Sequence, residues 1–433
     1  MQRRSFLLGG VPAALVAAVH PLYGLAGPSG RVPPGRRRSP FPRQHSLEEE
    51  TRLYANENPY GPPPEAVDAM AEVLRLGHRY GRYGSGGLLM EPSELEEQIA
   101  EREGVPADHV LVTHGATELL QLATVAYGEA GVVAPLPTYT TILGYASALR
   151  RPVRIVPVRD DFHLDLGRML ETGDGAGLVY LCHPNNPTGL VEDQERLEAF
   201  CREASTGPLV VADEAYFEFV RRPGYRSLVS LALDGVDLLV VRTFSKAYGM
   251  AGLRVGYGIA RPDILQPLRR LQVGPINVVS LVGARAALRS QDFVDRSVER
   301  ISDTRRRLID GLDGLGLRSL DPVANFVMAD VGRPAGAVLA ALRERGVRVN
   351  SPALRNSEWI RITVGTDAEI DRFLSALGPV LERERTPLRD RTQRRGGAGA
   401  PARQGRASSN GQERPTSSSN ASAGSAGSVS ARM

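Results

Sequence analysis

Lysine is almost missing from this chain. Of 53 basic residues only Lys246 is a lysine, and arginine supplies every other cation. A guanidinium stays protonated in proteins, whereas a buried ammonium lowers its pKa readily and becomes a free amine. A composition that avoids lysine everywhere except in Thr243-Phe244-Ser245-Lys246-Ala247-Tyr248-Gly249 points to a position that needs an amine. Cysteine is scarce too. Cys182 and Cys201 make neither a metal-ligand spacing nor a C-x-x-C motif, and they read as buried or incidental thiols, with a disulfide between them left open. Acidic residues are absent from the first 45 positions, which hold seven arginines, and residues 386–433 set eight arginines against Asp390 and Glu413. Removing those two ends from the net charge of +4 leaves about −9 on residues 46–385. An acidic body argues against a nucleic-acid-binding core.

The ends read as accessory segments. Arg3-Arg4-Ser5-Phe6-Leu7-Leu8 opens a weakly apolar run, with Ala17, Ala18 and Ala26 as small residues near cleavage points. A paired arginine before such a run resembles a twin-arginine signal over residues 1–26, which implies export in folded form; an uncleaved leader on a cytoplasmic protein is the alternative. The run of roughly 14 residues is too short and glycine-rich to make a stable membrane anchor. Residues 27–48, rich in Pro, Gly and Arg, read as a linker. Residues 386–433 are Ser, Gly, Ala and Arg with almost no large apolar side chain, and read as a disordered tail.

Between them, short apolar runs alternate with helical spacing. Strands are expected at His109–Thr113, Gly131–Ala134, Val153–Val158, Leu178–Cys182, Leu209–Ala212, Leu238–Arg242 and Val255–Ala260, with helices at Ala116–Tyr127 and Asp193–Ala204. This is an α/β pattern: a mostly parallel sheet flanked by helices, spanning a large domain of residues 49–290 whose first residues, 49–62, form an N-terminal arm. The rhythm then changes to helix Phe293–Leu315, strand Asn325–Val331, helix Gly336–Gly346, strands Val347–Asn350 and Trp359–Val364, and helix Asp367–Glu384. That order implies a smaller α+β C-terminal domain, residues 291–385.

The chemically distinctive residues sit where strands end, which is where ligands bind in such sheets. Lys246 follows the strand ending near Arg242, and Arg254 lies eight residues on. An amine closely followed by an arginine suits a cofactor carrying both an aldehyde and a phosphate, with a surface ion pair as the plainer role for Arg254. Asp213 closes a fully apolar strand, Val210-Val211-Ala212-Asp213, followed by Glu214-Ala215-Tyr216. A buried carboxylate needs a cationic partner, and a protonated pyridine nitrogen is one; a helix cap is the structural alternative. Tyr216 and Asn186, the latter in Pro184-Asn185-Asn186-Pro187-Thr188-Gly189, are placed to donate to a ring oxygen, although Asn and Pro here also serve as turn chemistry. Thr113-His114-Gly115-Ala116-Thr117 runs from strand into helix and forms a helix-start anion site. Tyr139 supplies an aromatic face for stacking.

These pieces, in this order, resemble the class I/II, fold-type I aminotransferases that use pyridoxal 5'-phosphate, and most closely their histidinol-phosphate aminotransferase-like branch. The resemblance runs from Leu53 to about Leu381. It rests on Asn56-Glu57-Asn58-Pro59-Tyr60-Gly61-Pro62, Asn185 to Gly189, Asp213 to Tyr216, Ser245-Lys246-Ala247, Ala251 to Gly256 and Arg361-Ile362-Thr363-Val364-Gly365. It implies that Lys246 forms the Schiff base and moves the proton, and that Asp213 pairs with the pyridine nitrogen. Asn186 and Tyr216 then contact the ring oxygen, Tyr139 stacks on the ring, and Ala116, Thr117, Thr243, Ser245 and Arg254 hold the phosphate. Arg361 grips the substrate carboxylate, with Asn56 and Asn186 beside it. Tyr80 resembles the tyrosine that reaches the neighbouring subunit's phosphate, which implies a homodimer. The expected partners are a small-molecule amino donor and a 2-oxo acid.

The departures concern substrate. Asn350 stands where that branch usually has an arginine, residues 39–47 contain no tyrosine, Thr117 replaces a usual aspartate, and Arg79-Tyr80-Gly81-Arg82 alters a familiar loop. The cofactor chemistry survives these changes, but the substrate label does not follow. Decarboxylation, elimination or cyclisation on the same cofactor is the enzymatic alternative, and a non-catalytic ligand sensor the alternative of another class.

Overall fold

In the computed structural model, residues 50–79, 92–352 and 357–383 are described, so the signal-like leader, the linker, Tyr80 and the tail lie outside the described residues. The strands are β1 (Thr51–Leu53), β2 (Val110–Thr113), β3 (Val132–Leu136), β4 (Val153–Pro157), β5 (Leu178–Cys182), β6 (Leu209–Asp213), β7 (Leu238–Thr243), β8 (Gly256–Ile259), β9 (Arg318–Ser319), β10 (Phe326–Asp330), β11 (Val347–Val349) and β12 (Trp359–Thr363). Seven of them make the main sheet, in the order β2-β8-β7-β6-β5-β3-β4. Every residue of β5, β6 and β7 is buried. A strand covered on both faces reads as a continuous apolar run rather than an alternation, and for this reason the runs were legible.

Parallel pairing joins β4, β3, β5, β6 and β7, whereas β8 runs antiparallel to both β7 and β2. The reversal has a local cause. Only residues 244–255 separate β7 from β8, with a single 3-10 turn (Ala251–Leu253) and no crossover helix. A parallel return is made through a crossover connection, usually an α-helix, and this twelve-residue loop holds none, so β8 folds back beside β7. Lys246 and Arg254 both ride on that loop. His109, expected to start a strand, instead ends the 3-10 turn Ala107–His109, which has Pro106 in front of it. Asp193 is not the first helical residue but the cap of Gln194–Ala204, its carboxylate accepting from Arg196 N.

The remaining strands form two small sheets: β12-β10-β9, antiparallel, and β1-β11, parallel with Thr51 opposite Val347. Asn350 and Arg361 pair across an isolated antiparallel bridge next to them. All described residues fall in one compact unit, and one core cluster runs through its sheets.

Candidate active site

Lys246 is held beneath the N-terminal segment. Its ammonium donates to the carbonyls of Ala55 and Asn56, each at 3.1 Å. Burial, with Arg361 and Arg254 nearby, lowers its pKa to about 8, against the opposing influence of Glu57 and Asp213. Asp213, at the end of β6, is 3 % exposed; its Oδ2 accepts from Tyr180 Oη at 3.0 Å and its Oδ1 from Ala215 N at 3.1 Å. The bond to Ala215 closes a turn within the loop after β6, so Asp213 caps no helix. Burial raises the Asp213 pKa to about 6.

Two further groups meet at one phenol. Tyr216 Oη accepts from Asn56 Nδ2 at 2.9 Å and from Asn186 Nδ2 at 3.2 Å, and burial raises its pKa. Arg361 turns inward from β12: it donates to Asn186 Oδ1 and to the Tyr54 carbonyl, both at 2.7 Å, while its buried Nε has no partner among the described residues. No carboxylate lies within ion-pair distance of Arg361 or Arg254 among the described residues, so both guanidiniums are available to an anion. Tyr139 is half-buried, with Tyr180 and Arg361 among its electrostatic neighbours.

The anion cradle forms where β2 meets the helix Ala116–Tyr127. No side chain caps that helix, so the N–H groups of its first turn, at Ala116 and Thr117, face outward from its start. Thr243 is buried and accepts the Ser245 N–H at 3.1 Å; Ser245 Oγ accepts from Arg254 Nη1 at 3.2 Å, and Ala251 O anchors the same nitrogen at 2.8 Å. Two glycines make the approach possible. A Cβ on Gly115 would strike Arg254 Nη2, and one on Gly256 would strike Ala116 N and come within 2.7 Å of Gly115 C. Ser245, Arg254 and a helix start thus converge as a phosphate requires. A buried carboxylate without an ion-pair partner among the described residues, an amine free enough to react and a phosphate cradle on the same sheet edge fit pyridoxal 5'-phosphate part by part.

Four supporting residues escaped the sequence reading. Tyr180 lies inside the expected strand Leu178–Cys182, where nothing local marks its hydroxyl. Asn325 donates from Nδ2 to the Asn56 and Glu57 carbonyls at 3.1 and 3.3 Å. Thr363 Oγ1 accepts the Asn56 N–H at 2.9 Å, and Asn58 Nδ2 donates to Ala247 O at 2.8 Å, beside the lysine. The Asn56-Glu57-Asn58 motif was the signal available for the last, although its partner was not readable. A cavity of about 270 Å³ lies alongside this segment, lined by Arg52, Glu57, Asn58, Thr363 and Glu369 among others; Lys246 and Asp213 do not line it.

Known proteins share this chain's sequence pattern and fold. The family described as aminotransferase class I and II matches residues 48–377. Histidinol-phosphate aminotransferase of Symbiobacterium thermophilum is 36 % identical over 354 residues, covering 80 % of this chain and 95 % of that protein. The corresponding protein of Geobacillus thermodenitrificans is 34 % identical, with 80 % and 94 % covered. Among solved structures, histidinol-phosphate aminotransferase of Sinorhizobium meliloti in complex with pyridoxal-5'-phosphate superposes with a TM-score of 0.71 at 29 % identity, covering 80 % of this chain and 96 % of that one.

Proposed function

Because the chain belongs to the class I and II aminotransferase family, we propose that the pocket around Lys246 is its active site, with the residue roles given below. The protein is a pyridoxal-phosphate-dependent aminotransferase. When bound, the cofactor supplies an aldehyde that takes up the amino group and a ring that accepts the electrons released at the substrate carbon. The chain's own residues do the rest. Lys246 anchors the cofactor through its amine and then carries the proton between the two carbons that exchange it. Asp213 faces the ring nitrogen and keeps it protonated. Asn186 and Tyr216 direct hydrogen-bond donors at the ring oxygen, and Tyr139 covers the ring face. The N–H groups of Ala116 and Thr117, with Thr243, Ser245 and Arg254, hold the phosphate. Arg361 takes the donor's carboxylate in place of its present contacts to Asn186 and Tyr54, and Asn56 frames the same opening.

One observation carries this reading: the only lysine of the chain sits half-buried just past a strand end, within electrostatic reach of a buried carboxylate that has no ion-pair partner among the described residues. The test is the visible spectrum of the purified protein with cofactor, beside that of Lys246→Ala. A visible band in the wild type that the variant cannot form supports the reading; a band common to both overturns it.

Tyr80 reaches the partner's phosphate in a homodimer, a role supported by its motif alone, and light scattering that returns a monomeric mass would contradict it. The leader directs export in folded form. Its paired arginines support this, and an Arg3→Lys/Arg4→Lys variant that fractionates like the wild type would contradict it. Donors are amino acids or related amines. The relatives are named for histidinol phosphate, but Asn350 occupies the bridge position opposite Arg361 with no cationic group of its own. A donor panel that includes histidinol phosphate reads out the substrate.

A further inference from the structure

Tyr180 lies in the middle of β5 with no exposed surface, two residues before Cys182, whose backbone is in register with Asp213 on β6. A phenol inside an otherwise apolar strand is costly unless its hydroxyl finds a partner. Here the partner is a carboxylate, Asp213 Oδ2 at 3.0 Å, and a hydrogen bond to a charged acceptor is the stronger kind. The carboxylate is thereby fixed at both oxygens, by Tyr180 on one and the Ala215 N–H on the other. Its plane is set before any cofactor arrives.

We propose that Tyr180 is a positioning residue that orients Asp213 and withdraws charge from it, so that the proton shared with the cofactor's ring nitrogen stays on the ring. This rests on the reading of Asp213 as the partner of that nitrogen. The groups facing Asp213 are Tyr180 and Cys182 on β5, Glu214 just past the end of β6, Tyr216 in the following turn and Lys246 in the loop after β7. Burial pushes the Asp213 pKa up; the bond from Tyr180 is the largest opposing influence, ahead of Ala215 and Lys246, while Glu214 adds to the rise. Cys182 gives its thiol to Pro184 O at 3.3 Å, and burial raises the thiol's pKa, so it remains neutral. Burial also holds the Tyr180 hydroxyl protonated, a donor throughout the working range. Without that donor the carboxylate becomes more basic and draws the proton away from the ring. The ring then pulls electrons less strongly from the bond that Lys246 makes with the cofactor.

The experiment is a pH titration of the visible absorbance of the cofactor-loaded protein, wild type beside Tyr180→Phe. The midpoint moves up by about one pH unit in the variant, and kcat falls about tenfold with KM little changed. Because a buried substitution can disturb folding, 3-fluorotyrosine placed at position 180 alone provides a second arm. Its more acidic hydroxyl donates more strongly, and the midpoint moves down. A midpoint that is the same in all three proteins overturns the role of Tyr180 while leaving the cofactor reading intact. A wild type with no visible band overturns the cofactor reading itself.

Discussion

Lys246 attacks an aldehyde only as the free amine, and its surroundings decide how often it is one. Burial and Arg361 bring its pKa to about 8, so the charged form dominates at lower pH. Each unit of pH below that value costs about a factor of ten in reactive amine. The rate at which cofactor-free protein attaches pyridoxal phosphate therefore rises with pH and levels off above about 8. Stopped-flow absorbance from pH 6 to 10 measures this, and a rate still climbing at pH 10 indicates a lysine with an unshifted pKa. At this scale the sequence was readable wherever a polar residue interrupts or ends an apolar run, as Asp213, Asn186, Lys246 and Arg361 do. It was unreadable where the chemistry lies in the pairing. Asn56 meets Thr363 across 307 positions, and no local pattern announces that contact. Tyr180 was hidden for another reason: as an aromatic in an apolar strand it looks like core, and its hydroxyl shows its use only once β5 and β6 are in register.

The elements do the placing. Strand β2 stops at Thr113, Gly115 takes φ +84° beside the Arg254 guanidinium, and the helix begins at Ala116 with no side-chain cap. An L-residue is strained at that φ, and its Cβ would displace the guanidinium. Gly115→Ala should cost about 1–3 kcal/mol of stability and weaken cofactor binding as well. Urea unfolding of the cofactor-free protein gives the first, and titration with pyridoxal phosphate gives the second. A variant unchanged in both contradicts this cradle. The types of the elements expected followed from apolar runs and helical spacing, and their limits shifted by one to three residues. The direction of β8 did not follow, because an apolar run is the same read either way. The lack of a crossover helix in residues 244–255 was the clue to its reversal, and that same loop keeps Lys246 and Arg254 on one edge.

Across the whole molecule, the N-terminal segment joins the sheets. Strand β1 pairs with β11, Asn56 bonds to Thr363 and Tyr216, Asn58 to Ala247, and Asn325 grips the carbonyl on which Lys246 also rests. The main sheet thus contributes Lys246 and Asp213, the C-terminal strands contribute Arg361, and residues 54–58 connect them. Family and cofactor were legible because six motifs keep their order along the chain. The substrate was not, because it depends on what surrounds Asn350 and Arg361 in space. The central claim is that this assembled pocket moves an amino group, and one half-reaction tests it most directly. Cofactor-loaded protein is mixed with single amino donors without any acceptor, and the visible band is followed while the product is assayed. The account predicts that an effective donor bleaches the band and releases one 2-oxo acid or carbonyl product per site, and that a 2-oxo acid restores the band. Release of carbon dioxide or ammonia without that carbonyl product, or a band no donor changes, contradicts it.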